Sequence, residues 1–128
     1  MPLARRAGLN NSLPAIMTGS HIDTQPTGGK FDGNYGVLAG LEVFKTLNDA
    51  GVTTAAPLEV VVWTNEEGSR FVPVMMGSGA FIGEFKTDFI LAQKDRDGIT
   101  VGQALNSIGY AGQDQVSPKG IGAYFEAH

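Results

Sequence analysis

The sequence contains no cysteine, which excludes disulfide bonds, thiolate metal sites and cysteine nucleophiles. No apolar run approaches the roughly 20 residues that a membrane-spanning helix needs, and the N-terminal stretch MPLARRAGLNNSLPAI lacks the apolar core of a signal peptide. The formal net charge is −4, so the surface offers no electrostatic attraction to nucleic acid. These absences predict a soluble, cytoplasmic protein that binds neither nucleic acid nor a membrane.

Histidine is scarce and glycine is abundant. The chain has two histidines and 18 glycines. One histidine lies in the stretch GSHIDTQPTGGKFDG, residues 19–33, together with two aspartates and four glycines. Clustered glycine marks backbone that turns sharply or approaches another group closely. This stretch is therefore the first candidate for a functional loop.

Hydrophobic patterning predicts alternating strands and helices. The run 58–63 is almost continuously apolar and β-branched, as in a strand that is buried on both faces. In the segment 37–51, Val37, Leu41, Phe44 and Leu47 recur at helical spacing. We further expect a strand at 13–17, a short helix within 74–85, a helix at 99–108 and a strand from 121. This order predicts a layered α/β fold with a mostly parallel sheet and flanking helices.

Chemically active side chains follow two of the predicted strands. His21, Asp23 and Asp32 lie in the first loop, and Glu66 and Glu67 follow strand 58–63. Active groups of α/β sheets lie beyond the carboxyl ends of the strands, so we expect all five at one edge. A divalent metal would take nitrogen from the histidine and oxygen from the carboxylates, and a cation would offset their mutual repulsion.

Two other chemistries fit less well. The segment TGGK resembles the end of a phosphate-binding P-loop, but Thr24 stands where the first glycine is required and Phe31 follows Lys30. Ser78 in MGSGA lacks the spacing of a nucleophile elbow, because Met76 replaces a glycine.

Each feature taken alone also has a purely structural explanation. A histidine after a strand is often a hydrogen-bonded structural residue, and an aspartate before a helix often caps it. A Glu-Glu pair after a strand is often a solvated helix start. The functional interpretation depends on both carboxylate loops lying on the same sheet edge.

Three motifs together carry a more specific resemblance. The segments GSHIDTQPTGGKFDGNYGVLAGLE, TNEEGSRF and YFEAH resemble the amidase, hydantoinase/carbamoylase family, which includes N-carbamoyl-L-amino-acid hydrolases, β-ureidopropionases and allantoate amidohydrolases. The resemblance runs from about Pro14 to the last residue, with the motifs in the family's order. It implies a binuclear metallohydrolase catalytic domain with two divalent metal ions, which zinc, manganese, cobalt or nickel could supply.

The resemblance also assigns metal ligands. His21 matches the first metal-binding histidine, Asp32 matches an aspartate that bridges two metals, and Glu67 matches a further ligand. His128 in YFEAH matches another metal-binding histidine. Position alone gives no reason to single out this terminal residue.

Two catalytic roles follow from the same resemblance. Glu66 matches the general base, and Asp23 matches the carboxylate that orients the ligand histidine. The implied reaction is hydrolysis of a carbamoyl C–N bond in N-carbamoyl amino acids or related small ureido compounds. A non-catalytic metal- or partner-binding remnant, or a metallopeptidase or aminoacylase of the wider group, are the alternatives.

Family members are several-fold longer than this chain. The resemblance therefore implies that residues 1–128 are the N-terminal part of the catalytic domain, without its C-terminal half and without the dimerisation domain that makes the full-length enzyme a homodimer. We expect the chain by itself to be inactive. We also expect Gly28, Gly29 and Gly33 to let the backbone pass close to the metals.

Overall fold

A computed structural model describes residues 1–112 and 116–128 of the chain. The expected α/β fold is confirmed. The strands are β1 (Leu3–Arg6), β2 (Ala15–His21), β3 (Leu58–Trp63) and β4 (Ile121–Phe125), and the helices are α1 (Asn34–Asp49), α2 (Met76–Ile82), α3 (Thr87–Leu91) and α4 (Val101–Ser107).

The four strands form one mixed sheet in the order β1-β3-β2-β4. Strand β2 pairs parallel with β3 on one side and with β4 on the other. Strand β1 pairs antiparallel with β3. The sheet is thus mostly parallel, and the carboxyl ends of β2, β3 and β4 meet at one edge.

Strand β1 was not expected, because its sequence LARR lacks apolar alternation and is mostly exposed. Its register comes from charge pairing instead. Arg5 lies opposite Glu59 in the ladder and forms an ion pair with it. Since Glu59 is buried, this pairing compensates a carboxylate that would otherwise be costly to remove from water.

Helix α1 packs on one face of the sheet mainly through small residues. Gly36, Val37 and Gly40 are its buried positions, and a Cβ at Gly40 would come within 3.0 Å of both Thr18 and Val60. The expected apolar stripe is therefore partly wrong, since Leu41 remains 44% exposed. Glycine lets the helix approach the sheet more closely than leucine would.

The opposite face of the sheet carries the main core cluster. Met17, Val61, Trp63 and Phe81 pack together there, and successive residues of a strand point to opposite faces. A second cluster packs helices α2, α3 and α4 against one another and contains Phe71, Met76, Ile90 and Val101. Within the described residues, no helix has the length and apolar character required to cross a membrane.

Candidate metal centre

His21 is the last residue of β2 and its side chain is completely buried. The strand expected at 13–17 extends to residue 21, so the expectation that His21 lies in the following loop is wrong. Strand β2 continues to pair with β3 as far as Trp63. Its Nδ1 atom lies 2.8 Å from the backbone carbonyl oxygen of Asp23. A carbonyl oxygen can only accept, so Nδ1 carries the proton and the Nε2 lone pair is free to bind a cation.

Gly33 packs directly against this imidazole. A Cβ at position 33 would come within 2.5 Å of the ring atoms of His21, and the residue has φ +69°. Both the space and the left-handed backbone conformation require glycine there. Gly28 and Gly29 make no comparably close approach to the imidazole. Among these three glycines the close contact with His21 is made by Gly33, and the expected approach of the backbone to the metals stays a prediction.

Three donor atoms meet beyond the sheet edge. The Nε2 atoms of His21 and His128 lie 3.2 Å apart. Asp32 Oδ1 lies 3.2 Å from His128 Nε2 and 3.9 Å from His21 Nε2. Ligands bound at 2.0–2.1 Å around a tetrahedral zinc ion are about 3.3 Å apart. These three atoms therefore fit one divalent cation.

The two glutamates approach from the loop after β3. Glu66 Oε2 lies 3.5 Å from His21 Nε2. Glu67, His21 and Asp32 offer ligand atoms that all lie within 4.8 Å of one another. The Glu67 carboxylate also accepts a hydrogen bond of 2.7 Å from the Gln25 side chain.

Asn65 shapes the loop that carries both glutamates. It has φ 51°, a conformation that asparagine tolerates better than most residues. Its side-chain amide donates to the carbonyl oxygens of Phe71 and Pro73, at 2.9 and 3.2 Å. Sequence reasoning missed this residue, although an asparagine between a buried strand and a Glu-Glu pair indicates a turn.

Asp23 orients His21, but through a different atom from the one expected. Its carboxylate is 3.7 Å from the imidazole Nδ1, too far for a hydrogen bond, and the backbone carbonyl takes that role. The two carboxylate oxygens instead accept the backbone N–H groups of Glu66 and Glu67, each at 3.1 Å. Asp23 thereby ties the first loop to the second.

The six expected site residues thus lie together at the carboxyl edge of the parallel strands. Carboxylate oxygens of Asp32, Glu66 and Glu67 lie close to the His21 imidazole, and those of Asp32 and Glu66 also lie close to His128. Carboxylates gathered this closely favour a bound cation, because it offsets their repulsion. A mixed nitrogen and oxygen donor set of this kind suits zinc and neighbouring first-row metals.

The chain matches known proteins over most of its length. Residues 17–128 match the family described as Peptidase family M20/M25/M40. The chain is 47% identical over 123 residues to the N-carbamoyl-L-amino-acid amidohydrolase of Rhizobium meliloti. The aligned region covers 96% of this chain and 30% of that protein. It is 39% identical over 130 residues to the N-carbamoyl-L-amino acid amidohydrolase of Geobacillus stearothermophilus, covering 98% of this chain and 32% of that protein.

A solved structure is similar over nearly the whole chain. The crystal structure of a hydantoinase/carbamoylase family amidase from Burkholderia ambifaria superposes with a TM-score of 0.95 at 54% identity, covering 98% of this chain and 31% of that one. The chain thus spans about 30% of the length of the relatives it matches. The resemblance to the hydantoinase/carbamoylase amidases is confirmed, and the chain belongs to the peptidase M20/M25/M40 family.

Proposed function

We propose that this chain is the N-terminal part of the catalytic domain of a metal-dependent amidohydrolase that cleaves the carbamoyl C–N bond of N-carbamoyl-L-amino acids. One observation carries the proposal. Donor atoms of His21, Asp32 and His128 come from three separate segments of the chain and meet at separations of 3.2–3.9 Å. The amidohydrolases named among the relatives support the choice of reaction.

The donor set would divide between two cations, with Asp32 contributing to each. His21, Asp32 and His128 would hold one cation, and Asp32 with Glu67 would contribute to the second. When bound, the cations supply polarisation of the carbamoyl carbonyl and a lower pKa for the attacking water. Zinc, manganese, cobalt and nickel all suit these ligands.

Glu66 is the proposed general base. Its carboxylate borders the same space, 3.5 Å from His21 Nε2, and its backbone N–H is held by Asp23. Glu66 accepts a proton from the attacking water and delivers it to the leaving nitrogen. Hydrolysis of an N-carbamoyl-L-amino acid then yields the amino acid, ammonia and carbon dioxide.

Turnover requires parts of the enzyme beyond residues 1–128. The second cation has two ligands, Asp32 and Glu67, among the residues assigned above, whereas catalytic zinc sites commonly have three. We therefore propose that the full-length enzyme supplies the missing ligand and the groups that bind the substrate carboxylate, and that it acts as a homodimer.

A non-catalytic metal-binding protein is the second candidate. It is favoured by the fact that the three donors of the first cation are all within this chain. Binding of one cation does not depend on the rest of the enzyme, whereas catalysis does.

Ammonia release separates these candidates. We would load the complete gene product and the 128-residue chain with zinc, manganese, cobalt or nickel. We would then measure ammonia release from N-carbamoyl-L-amino acids and allantoate, and release of free amino groups from N-acyl amino acids and dipeptides. We expect ammonia from the complete product with N-carbamoyl-L-amino acids, and none from the 128-residue chain. A complete product that binds metal and hydrolyses N-acyl amino acids or dipeptides instead would contradict the carbamoylase assignment. Metal binding without any hydrolysis would favour the second candidate.

A further inference from the structure

His128 lies three residues beyond the end of β4, and its side chain is 55% exposed. The other histidine of the cluster, His21, is fixed by burial and by the hydrogen bond to Asp23. The position of the His128 imidazole therefore depends on the contacts that hold the short segment 126–128, here called the β4 tail.

Glu126 connects the tail to the sheet, because both oxygens of its carboxylate accept hydrogen bonds. Oε1 accepts a hydrogen bond of 2.6 Å from the Ser20 hydroxyl, and Oε2 accepts one of 2.7 Å from the Tyr124 hydroxyl. Ser20 is completely buried and directly precedes His21 in β2. The carboxylate thus joins the residue beside one histidine to the segment that carries the other.

Trp63 directs the Tyr124 hydroxyl toward Glu126. The indole N–H of Trp63 donates to the Tyr124 oxygen at 2.9 Å, so the single proton of the phenol is left to donate to the carboxylate. Burial and the hydrogen bond to Glu126 raise the pKa of Tyr124 above its usual value, which keeps it a donor. The chain of hydrogen bonds runs from β3 through β4 to β2.

The next residue of the tail, Ala127, contacts helix α1. A Cβ at Gly36 would lie 2.2 Å from the Ala127 carbonyl oxygen, so the tail lies in direct contact with the buried face of α1. Such closeness is possible only with glycine at that position. The tail therefore contacts helix α1 through Ala127 and is hydrogen-bonded to Ser20 and Tyr124 through Glu126.

We propose that Glu126 is a positioning residue that holds the His128 imidazole beside His21 and Asp32 before any cation binds. The inference rests on the proposed function of this cluster as a metal centre. Glu126 does not contribute a ligand in this account. It acts through Ala127, the one residue that lies between it and His128.

Because histidine is scarce, NMR can measure directly whether the two imidazoles lie side by side. The chain has two histidines, and their ring centroids lie 5.2 Å apart, close enough for a nuclear Overhauser effect between ring protons. We would record imidazole spectra of the metal-free chain and assign the two rings with His128→Ala. We expect a cross-peak between the rings in the wild type and in the control Glu84→Gln, which alters an exposed glutamate outside the site.

Glu126→Ala should abolish the cross-peak, and Glu126→Gln should restore part of it, because the amide keeps one acceptor oxygen. Ser20→Ala removes one of the two hydroxyls at almost constant volume and serves as a second test if Glu126→Ala does not fold. An unchanged cross-peak in the folded Glu126→Ala variant, or no cross-peak in the folded wild type, would overturn the inference.

Zinc affinity gives an independent readout. Removing a residue that orients a ligand typically costs 10–100-fold in metal affinity, so we expect about that loss for Glu126→Ala. In the His128→Ala background the same substitution should cause no further loss of zinc affinity. If the role of Glu126 were merely structural, the loss would also occur in that background. An equal loss in both backgrounds would overturn the inference. Neither readout uses turnover, so failure of the proposed amidohydrolase activity would be distinguished from failure of this inference.

Discussion

The Nε2 atoms of His21 and His128 lie 3.2 Å apart although 107 positions separate the two residues in the sequence. The parallel pairing of β2 with β4 creates this contact, because it brings both strands to the same edge with the same direction. The candidate metal centre is therefore a product of sheet topology.

Glu66→Gln should remove the general base and leave the proposed ligands in place. In the complete enzyme we expect kcat for ammonia release to fall about 10²–10⁴-fold, the usual contribution of general acid–base catalysis. Metal content should stay at the wild-type value, because His21, Asp32 and His128 are unaltered. Glu84→Gln is the matched control. Loss of the metal along with the activity, or retention of most of the activity, would contradict the assignment.

Asp23→Ala should distinguish the role of the Asp23 carboxylate from that of the Asp23 backbone carbonyl. The carboxylate accepts the N–H groups of the glutamate loop, and the carbonyl holds His21. The backbone N–H groups of Glu66 and Glu67 lose their acceptors, so the free energy of unfolding should fall by about 1–3 kcal/mol. The carbonyl that holds His21 remains, so zinc affinity should fall much less than in His21→Ala. Urea unfolding and zinc titration measure the two effects. Equal losses of zinc affinity in the two variants would show that the carboxylate orients the imidazole after all.

Gly33→Ala and Gly51→Ala form a matched pair. Both glycines have positive φ, +69° and +65°, but a Cβ at Gly51 has nothing within 4 Å while one at Gly33 strikes the His21 ring. We expect Gly51→Ala to cost about 1–2 kcal/mol from backbone strain alone. Gly33→Ala should add about 1–3 kcal/mol of overpacking and weaken zinc binding. Similar stabilities and zinc affinities for the two variants would contradict the proposed contact.

Asp95, which lies between α3 and α4, should make the stability of the fold depend on pH. Burial alone would raise its pKa, but the N–H groups of Ile99 and Asp97 and the Arg70 guanidinium together hold the pKa below its ordinary value. A carboxyl group with a depressed pKa stabilises the fold above its unfolded pKa, and this contribution is lost as pH falls through the folded value.

The corresponding variant is Asp95→Asn. Urea unfolding should find the wild type more stable than this variant at about pH 6, with the difference shrinking below about pH 4 as the unfolded and folded carboxyl groups become protonated. A difference that stays constant from about pH 6 to about pH 3 would contradict this account.

Much of the fold followed from hydrophobic patterning. The apolar run 58–63 is β3, and α1 and α4 lie within or close to their expected ranges. Strand β1 and helix α3 were missed for physical reasons. The strand is exposed and takes its register from Arg5 and Glu59, and α3 has five residues, too few to show a helical period.

The site was less accessible to sequence reasoning. The motif around His21 and Asp32 indicated metal chemistry, and the family resemblance singled out His128. The hydrogen bond from His21 goes to a backbone carbonyl, which residue identities do not specify. The contacts of Asn65, Gln25 and Glu126 were also not foreseen, because each joins segments that only the folded sheet brings together.

The most direct test of the central claim is a zinc titration of the 128-residue chain by calorimetry, comparing the wild type with His21→Ala, Asp32→Asn and His128→Ala. We predict that the wild type binds zinc at the three-donor site, and that each variant loses more affinity than the roughly 10–100-fold that removal of an outer-shell partner costs. Glu84→Gln should match the wild type. A wild type that does not bind zinc, or a His128→Ala variant that binds it as tightly, would contradict the account.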